Sequence, residues 1–304
     1  MTQNNPRLGI LLMIATTFVF AMQDGISRHL GGTYNVMMVV MIRYWFFAAF
    51  VIAYAARQKG SFRATVQTEQ LGLQLLRGFL LAAEILVAIL SFVYLGLIET
   101  HAIFASYPLM ITALAGPFLG ETIGWRRWLA IAVGFIGMLI VLRPGAGVFS
   151  PYSLIAVASA LMFAAYGILT RYVARKDRAV TSFFWTGIGG VVLTSAIGIW
   201  FWEPMTLADS GWMAILCVTG ALGHFLLIKA LEVAEASAVQ PFSYFQLVFV
   251  SILALVVFGE TMEGSTILGA GIVVSAGLFT FWRERVRAAK SARLRSRTPP
   301  RSAP

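Results

Sequence analysis

Long apolar stretches dominate this chain of 304 residues. There are ten of them, most near the roughly 20 residues that a helix needs to cross a bilayer, and short polar breaks separate them. Only 12% of the residues are charged, against about 25% in soluble domains, which excludes a water-soluble globule. The predicted spans are residues 8–27, 36–56, 73–96, 100–119, 128–142, 152–170, 182–201, 211–231, 236–258 and 266–282. The sequence therefore predicts an all-α polytopic membrane protein with ten transmembrane helices.

The distribution of basic residues predicts the orientation of these spans. With ten spans and the N-terminus inside, 20 of the 23 Lys and Arg residues fall on the inner side of the membrane. Loops on the other side carry Glu203, Asp209, Glu260 and Glu263 instead. Since cytoplasmic loops carry an excess of Lys and Arg, we expect a multi-pass protein of the inner membrane with both termini in the cytoplasm.

Residues 283–304 form a strongly basic C-terminal tail, with eight Lys or Arg residues against one Glu. The tail has too few apolar residues to bury, so we expect it to be disordered on the cytoplasmic side. Membrane topology explains its charge better than nucleic-acid binding, and no nucleic-acid partner is predicted. The single cysteine, Cys217, can form neither an intrachain disulfide nor a Cys-built metal site, and no cofactor or metal is predicted.

A loose repeat divides the chain into two parts of five spans each. Pro108 is followed by Gly-Glu-Thr at 120–122, Pro241 is followed by Gly-Glu-Thr at 259–261, and a glycine-containing apolar helix follows each block. Each Gly-Glu-Thr block is expected to cap the helix that comes after it. Residues 1–146 and 147–282 are the predicted repeats. Because five is odd, the second repeat is inverted in the membrane, which is an architecture of transporters.

These features, in this order over residues 9–282, resemble the EamA-type drug/metabolite transporter family. The resemblance implies a carrier that moves small metabolites across the lipid bilayer by alternating access. Within that family the chain looks like the amino-acid exporters, so amino-acid export is the expected function. The alternative is an uptake carrier for a vitamin, a nucleotide derivative or another metabolite, and a monomer is compatible with either.

An intramembrane enzyme is a remote alternative. The sequence contains no HExxH or GxSxG motif, and Asp24 is the only aspartate within a predicted span. No catalytic residues are therefore predicted.

Ionisable residues inside the spans mark the candidate site, because they are costly in a bilayer unless they are paired or hydrated. Asp24 and Arg43 lie at compatible depths in the first and second spans, which predicts an ion pair that serves either as a fixed link or as a gate. Glu84 lies in the third span without an evident partner. His224 lies at mid-depth in the eighth span and is either a packing residue or a ligand- or proton-binding group.

Pro108 and Pro241 are predicted to break the fourth and ninth helices. A proline removes a backbone hydrogen bond, and in a membrane the exposed carbonyl groups are tolerated where they line a cavity or pack on protein. Polar and aromatic side chains surround both prolines, although kinks that serve only packing are the alternative. The predicted substrate-binding residues are Tyr107, Gln240, Tyr244, Gln246, Glu84 and His224.

Overall fold

The computed structural model describes residues 5–58, 61–120, 123–142, 151–234 and 239–297. Within these ranges, nine helical segments are long and apolar enough to cross a membrane, and a shorter apolar segment covers Pro241–Val257. The prediction of an all-α polytopic fold is confirmed. The helices are α1 (Pro6–Thr33), α2 (Val36–Ala56), α3 (Phe62–Val66), α4 (Leu71–Tyr94), α5 (Leu97–Phe104), α6 (Tyr107–Leu119), α7 (Trp125–Leu142), α8 (Pro151–Val173), α9 (Ala179–Gly198), α10 (Leu207–Val233), α11 (Phe245–Val257) and α12 (Gly264–Arg297).

Helix α1 runs six residues beyond its predicted end at residue 27. Arg28 and His29 do not end it, because each has a carboxylate partner on another helix or loop. Arg28 pairs with Glu260, and His29 Nε2 lies 2.8 Å from an oxygen of Asp209. Pairing lowers the cost of placing charge at this depth, so the helix continues into the charged segment.

Two of the predicted spans are interrupted. The fourth consists of α5 and α6, which meet at residues 105–106, with Pro108 in the first turn of α6. The ninth begins with a 3₁₀ turn, Gln240–Tyr244, which contains Pro241 and leads into α11. Each proline occupies an early position, where its missing N–H is not needed by the helix that follows.

Helices from the first half of the chain pack against helices from the second half. Helix α1 packs on α10 and α11, α4 packs on α8 and α9, and α7 packs on α12. The bundle has an N-terminal face, where Asn5 N donates to the carbonyl oxygen of Val233 at 2.8 Å, and a far face, where α1 ends beside Asp209. The site described below lies between these two faces.

Glycines allow two of the close helix contacts. A Cβ atom on Gly137 of α7 would lie 2.8 Å from the carbonyl oxygen of Gly269 on α12, and a Cβ on Gly78 of α4 would lie 3.1 Å from Gly189 Cα on α9. Only glycine permits the backbones to approach this closely, which is a common way to pack helices in lipid. Both contacts join the first half of the chain to the second.

The C-terminal segment differs from the expectation of a disordered tail from residue 283. Helix α12 continues without a break to Arg297. Ala, Arg, Lys and Leu make up most of residues 285–297, and all four have high helix propensity, so the transmembrane helix propagates into this segment. Residues 298–304 lie outside the described ranges.

Candidate substrate site

Asp24 lies at the centre of a buried polar cluster between α1, α5 and α11. Its carboxylate accepts a hydrogen bond from Gln246 Nε2 at 2.8 Å and lies 3.1 Å from His101 Nε2. His101 Nδ1 is 3.0 Å from the carbonyl oxygen of Leu97, so both ring nitrogens face oxygen acceptors. The His101 ring thus lies between the Asp24 carboxylate and the backbone of α5.

The structure corrects the predicted ion pair between Asp24 and Arg43. Within the described ranges, Asp24 contacts His101 and Gln246, and no ion pair joins it to Arg43. The prediction rested on depth along the helix axis, which does not fix the direction in which a side chain leaves its helix. Arg43 is directed towards α10, where its Nε atom would be 3.4 Å from a Cβ on Gly220.

Arg43 and His224 line a small cavity among α2, α4 and α10, together with Tyr44 and Cys217. The cavity measures about 10 Å³, which is room for about one water molecule. The Tyr44 hydroxyl and Gln23 Oε1 are buried and have no hydrogen-bond partner in the described part of the chain. They leave hydrogen-bonding capacity for a ligand, but a metabolite can enter only after the helices separate.

Glu84 has a partner that its sequence neighbourhood does not reveal. Its carboxylate is 4% exposed and accepts a hydrogen bond of 2.7 Å from Ser159 Oγ on α8. Glu84 also interacts electrostatically with Asp24 and Arg43. Three ionisable side chains from α1, α2 and α4 therefore share the interior of the bundle.

Aromatic side chains border this polar region on the side of α5, α6 and α8. The ring of Tyr107 lies 5.1 Å from that of Phe104 and 4.8 Å from that of Phe163, measured between centroids. The Tyr107 side chain also interacts with Ser243 of the 3₁₀ turn. Tyr107 thus connects the two interrupted spans.

The other predicted residues take different places. His224 sits among three rings, at centroid distances of 5.4 Å from Phe20, 5.5 Å from Phe47 and 6.1 Å from Phe183, and borders the cavity beside Arg43. The Tyr244 hydroxyl packs against Gly277 of α12. Gln240 begins the 3₁₀ turn, and its side chain lies outside the described part of the structure.

Arg77 is a buried cation towards the N-terminal face of the bundle. It is 2% exposed, and its guanidinium donates to Gln74 Oε1 at 3.0 Å and to Thr186 Oγ1 at 2.7 Å, as well as to the carbonyl oxygen of Ser182. The Tyr166 hydroxyl accepts a further bond of 3.2 Å. The sequence places Arg77 only as a cation near the inner surface, whereas the structure buries it as a link among α4, α8 and α9.

Glu260 links two helices at the far face. Its carboxylate accepts hydrogen bonds from the backbone N–H groups of Leu97 at 2.8 Å and Ile98 at 3.0 Å, and it pairs with Arg28. The Gly-Glu-Thr block was expected to cap the helix after it, but Glu260 caps α5 instead. Gly96 permits this contact, because its φ of +96° and the closeness of the carboxylate exclude a side chain. Glu121 and Thr122 lie outside the described residues.

Sequence reasoning missed His101, Ser159 and the roles of Arg77 and Glu260. His101 carried a usable signal, because it is an ionisable residue inside the predicted span 100–119. Ser159 carried none, since serine is common in membrane helices.

The profile of the EamA-like transporter family matches residues 7–143 and again residues 150–282. The chain belongs to the EamA-like transporter family. The predicted resemblance to this family, which rested on the repeated motifs, is confirmed. The protein is a membrane transporter rather than an enzyme.

Relatives of this EamA-like transporter have assigned substrates. It is 29% identical over 282 residues to the S-adenosylmethionine uptake transporter of Rickettsia bellii, covering 91% of this chain and 94% of that protein. It is 27% identical over 287 residues to the riboflavin transporter of Vibrio cholerae, covering 93% and 96%. One solved structure aligns with 93% of this chain and 99% of its own, with a TM-score of 0.62 and 15% identity, which shows a shared fold.

Proposed function

We propose that this EamA-like transporter takes up a cationic metabolite with an aromatic ring system, of the S-adenosylmethionine type. The sequence predicts amino-acid export, but the relatives named for S-adenosylmethionine uptake and for riboflavin favour the alternative of an uptake carrier. Neither of these two relatives is named as an amino-acid exporter.

The balance of charge in the buried site carries this proposal. S-adenosylmethionine has two cationic groups, a sulfonium and an ammonium, and one carboxylate. The site offers two carboxylates, Asp24 and Glu84, one guanidinium, Arg43, and the His101 imidazole beside Asp24, all no more than 9% exposed. Opposite charges attract strongly where water is excluded, and a bound cation favours the ionised form of a carboxylate.

The aromatic side chains supply a surface for the adenine ring. Phe104, Tyr107 and Phe163 lie together beside the polar cluster. Flat rings stack favourably against such side chains in an offset or edge-on manner. In this proposal Tyr107, Glu84, Gln246 and His224 border the substrate path.

In this proposal, alternating access depends on the contacts at the two faces. Release of the Arg77 contacts opens the N-terminal face, and release of the Glu260 contacts opens the far face. The double family match supports an assignment of residues 1–146 and 147–282 as inverted halves that rock against one another. The bias of basic residues supports an inner-membrane orientation with both termini in the cytoplasm.

Riboflavin is the second candidate, and the likeness to the riboflavin transporter of Vibrio cholerae favours it. Its neutral isoalloxazine ring would depend on the aromatic side chains and on hydrogen bonds such as those of Gln246. It would not require the carboxylate of Asp24 or Glu84, which separates the two candidates experimentally.

Uptake by the purified protein in liposomes tests the proposal. We expect the wild type to take up labelled S-adenosylmethionine with saturable kinetics. The variants Asp24→Asn and Glu84→Gln should each lose about 10- to 150-fold in affinity, since hydrogen bonds to charged groups contribute about 1.5–3 kcal/mol. Glu69→Gln is the matched control, because Glu69 is exposed outside the spans.

Three results would contradict the charge argument. The first is uptake of riboflavin that Asp24→Asn and Glu84→Gln leave unchanged. The second is exchange of a neutral amino acid by a protein that does not take up S-adenosylmethionine. The third is a loss of affinity in the Glu69→Gln control equal to that in the two carboxylate variants. Size-exclusion chromatography of each variant checks that the protein is folded.

A further inference from the structure

A groove on the outside of the bundle runs between α7 and α12. Its volume is about 930 Å³, and its walls include Leu129, Val133, Ile267 and Ile272. Gly271 belongs to the groove, and a Cβ atom there would meet no other atom within 4 Å. The outer surface of a membrane-spanning bundle faces lipid, so an acyl chain is the apolar molecule at hand to fill this space.

One mouth of the groove is cationic. Because α7 and α12 are antiparallel, Arg126 near the start of α7 and Arg283 near the middle of α12 line the same groove. The Arg126 guanidinium lies 5.3 Å from the ring centroid of Trp125, and that of Arg283 lies 5.8 Å from Trp282. The two tryptophans are 70% and 56% exposed. Exposed tryptophans beside arginines are typical of the headgroup level of a bilayer.

The chain beyond this mouth adds positive charge. Residues 284–297 contain six further Lys or Arg residues and one Glu. Basic clusters that directly follow a membrane helix attract anionic lipids. The groove and the basic segment are thus continuous on α12.

We propose that this groove binds an anionic phospholipid, with an acyl chain along α7 and α12 and the phosphate between Arg126 and Arg283. The apolar walls match the acyl chain, and the arginines match the phosphate and the net negative charge of the headgroup. A second copy of the chain fits less well, because it would bring two cationic mouths together. The proposal does not depend on the identity of the transported substrate.

Native mass spectrometry of the full chain, released from detergent with equal amounts of phosphatidylglycerol and phosphatidylcholine, tests the charge of the mouth. We expect bound phosphatidylglycerol to exceed bound phosphatidylcholine. The double variant Arg126→Gln/Arg283→Gln should bind phosphatidylglycerol about 30-fold more weakly, since each arginine near an anionic headgroup contributes about fivefold. The control variant Arg57→Gln/Arg63→Gln removes two exposed charges outside the groove and should bind like the wild type.

Filling the groove tests its apolar part. Gly271→Leu enters open space and should displace both lipids, whereas Gly72→Leu, also in open space but on α4, should not. Equal binding of the two lipids by the wild type, or unchanged phosphatidylglycerol binding in either groove variant, overturns the proposal. A dimer in the same spectra that Gly271→Leu dissociates also overturns it, because a second chain then covers the groove. Thermal unfolding of each variant checks that the fold is retained.

Discussion

Removal of the Glu260 side chain should open the far face of the transporter. In the closed state this carboxylate caps the first two N–H groups of α5 and pairs with Arg28, so Glu260→Ala removes both interactions at once. Loss of a cap costs about 1 kcal/mol, and loss of a charge-assisted bond costs about 1.5–3 kcal/mol. If both contacts belong only to the closed far face, the ratio of open to closed protein rises about 70- to 900-fold.

The rate at which a thiol reagent modifies Cys217 reports this opening, so no further cysteine has to be introduced. It is the single cysteine of the chain, is 7% exposed and borders the small cavity beside Arg43. We expect a charged methanethiosulfonate reagent to modify Cys217 slowly in the wild type and faster in Glu260→Ala. With protein in detergent the reagent reaches both faces, so the result does not depend on orientation.

Glu263→Ala is the matched control, because it removes the same charge from the same loop, three residues beyond Glu260. An unchanged rate of Cys217 modification in Glu260→Ala, with the protein still folded, would show that the Glu260 contacts do not hold the far face closed. An equal increase in Glu263→Ala would mean that loop charge, rather than the cap on α5, controls the opening.

Two further predictions concern packing and topology. Gly137→Leu should lower the unfolding temperature in detergent and reduce the yield of folded protein, because its Cβ atom alone would lie 2.8 Å from a carbonyl oxygen on α12. The control Gly271→Leu places its side chain in open space and should leave the unfolding temperature unchanged. In a Cys217→Ser background, a cysteine that replaces Lys176 should not react with an impermeant thiol reagent applied to intact cells, whereas a cysteine that replaces Ser210 should react. The reverse pattern would refute the proposed orientation.

The sequence allowed prediction of the fold because, in a membrane, the length and polarity of each apolar run determine whether it can form a span. Helix α2 begins and ends where predicted, at Val36 and Ala56. The predicted end of the first span at residue 27 falls short of the end of α1, because partners distant in sequence pair with Arg28 and His29 and the helix continues through them. Local composition cannot reveal such partners.

The site was predictable only in part, for a related physical reason. Asp24 and Glu84 stand out as carboxylates in apolar runs, and both are buried in the bundle. Their partners could not be inferred, because a span length gives a depth but not the face of the helix on which a side chain lies. The partner of Asp24 is His101 rather than Arg43. Helix α5 begins at Leu97 and directs the His101 ring towards Asp24 on α1.

The glycine contact between α7 and α12 has a mechanical consequence. At Gly137 and Gly269 the two backbones touch with no side chains between them, so neither helix can slide past the other without a carbonyl oxygen striking the opposite backbone. This contact should therefore stay in place and act as the pivot about which the two halves rock.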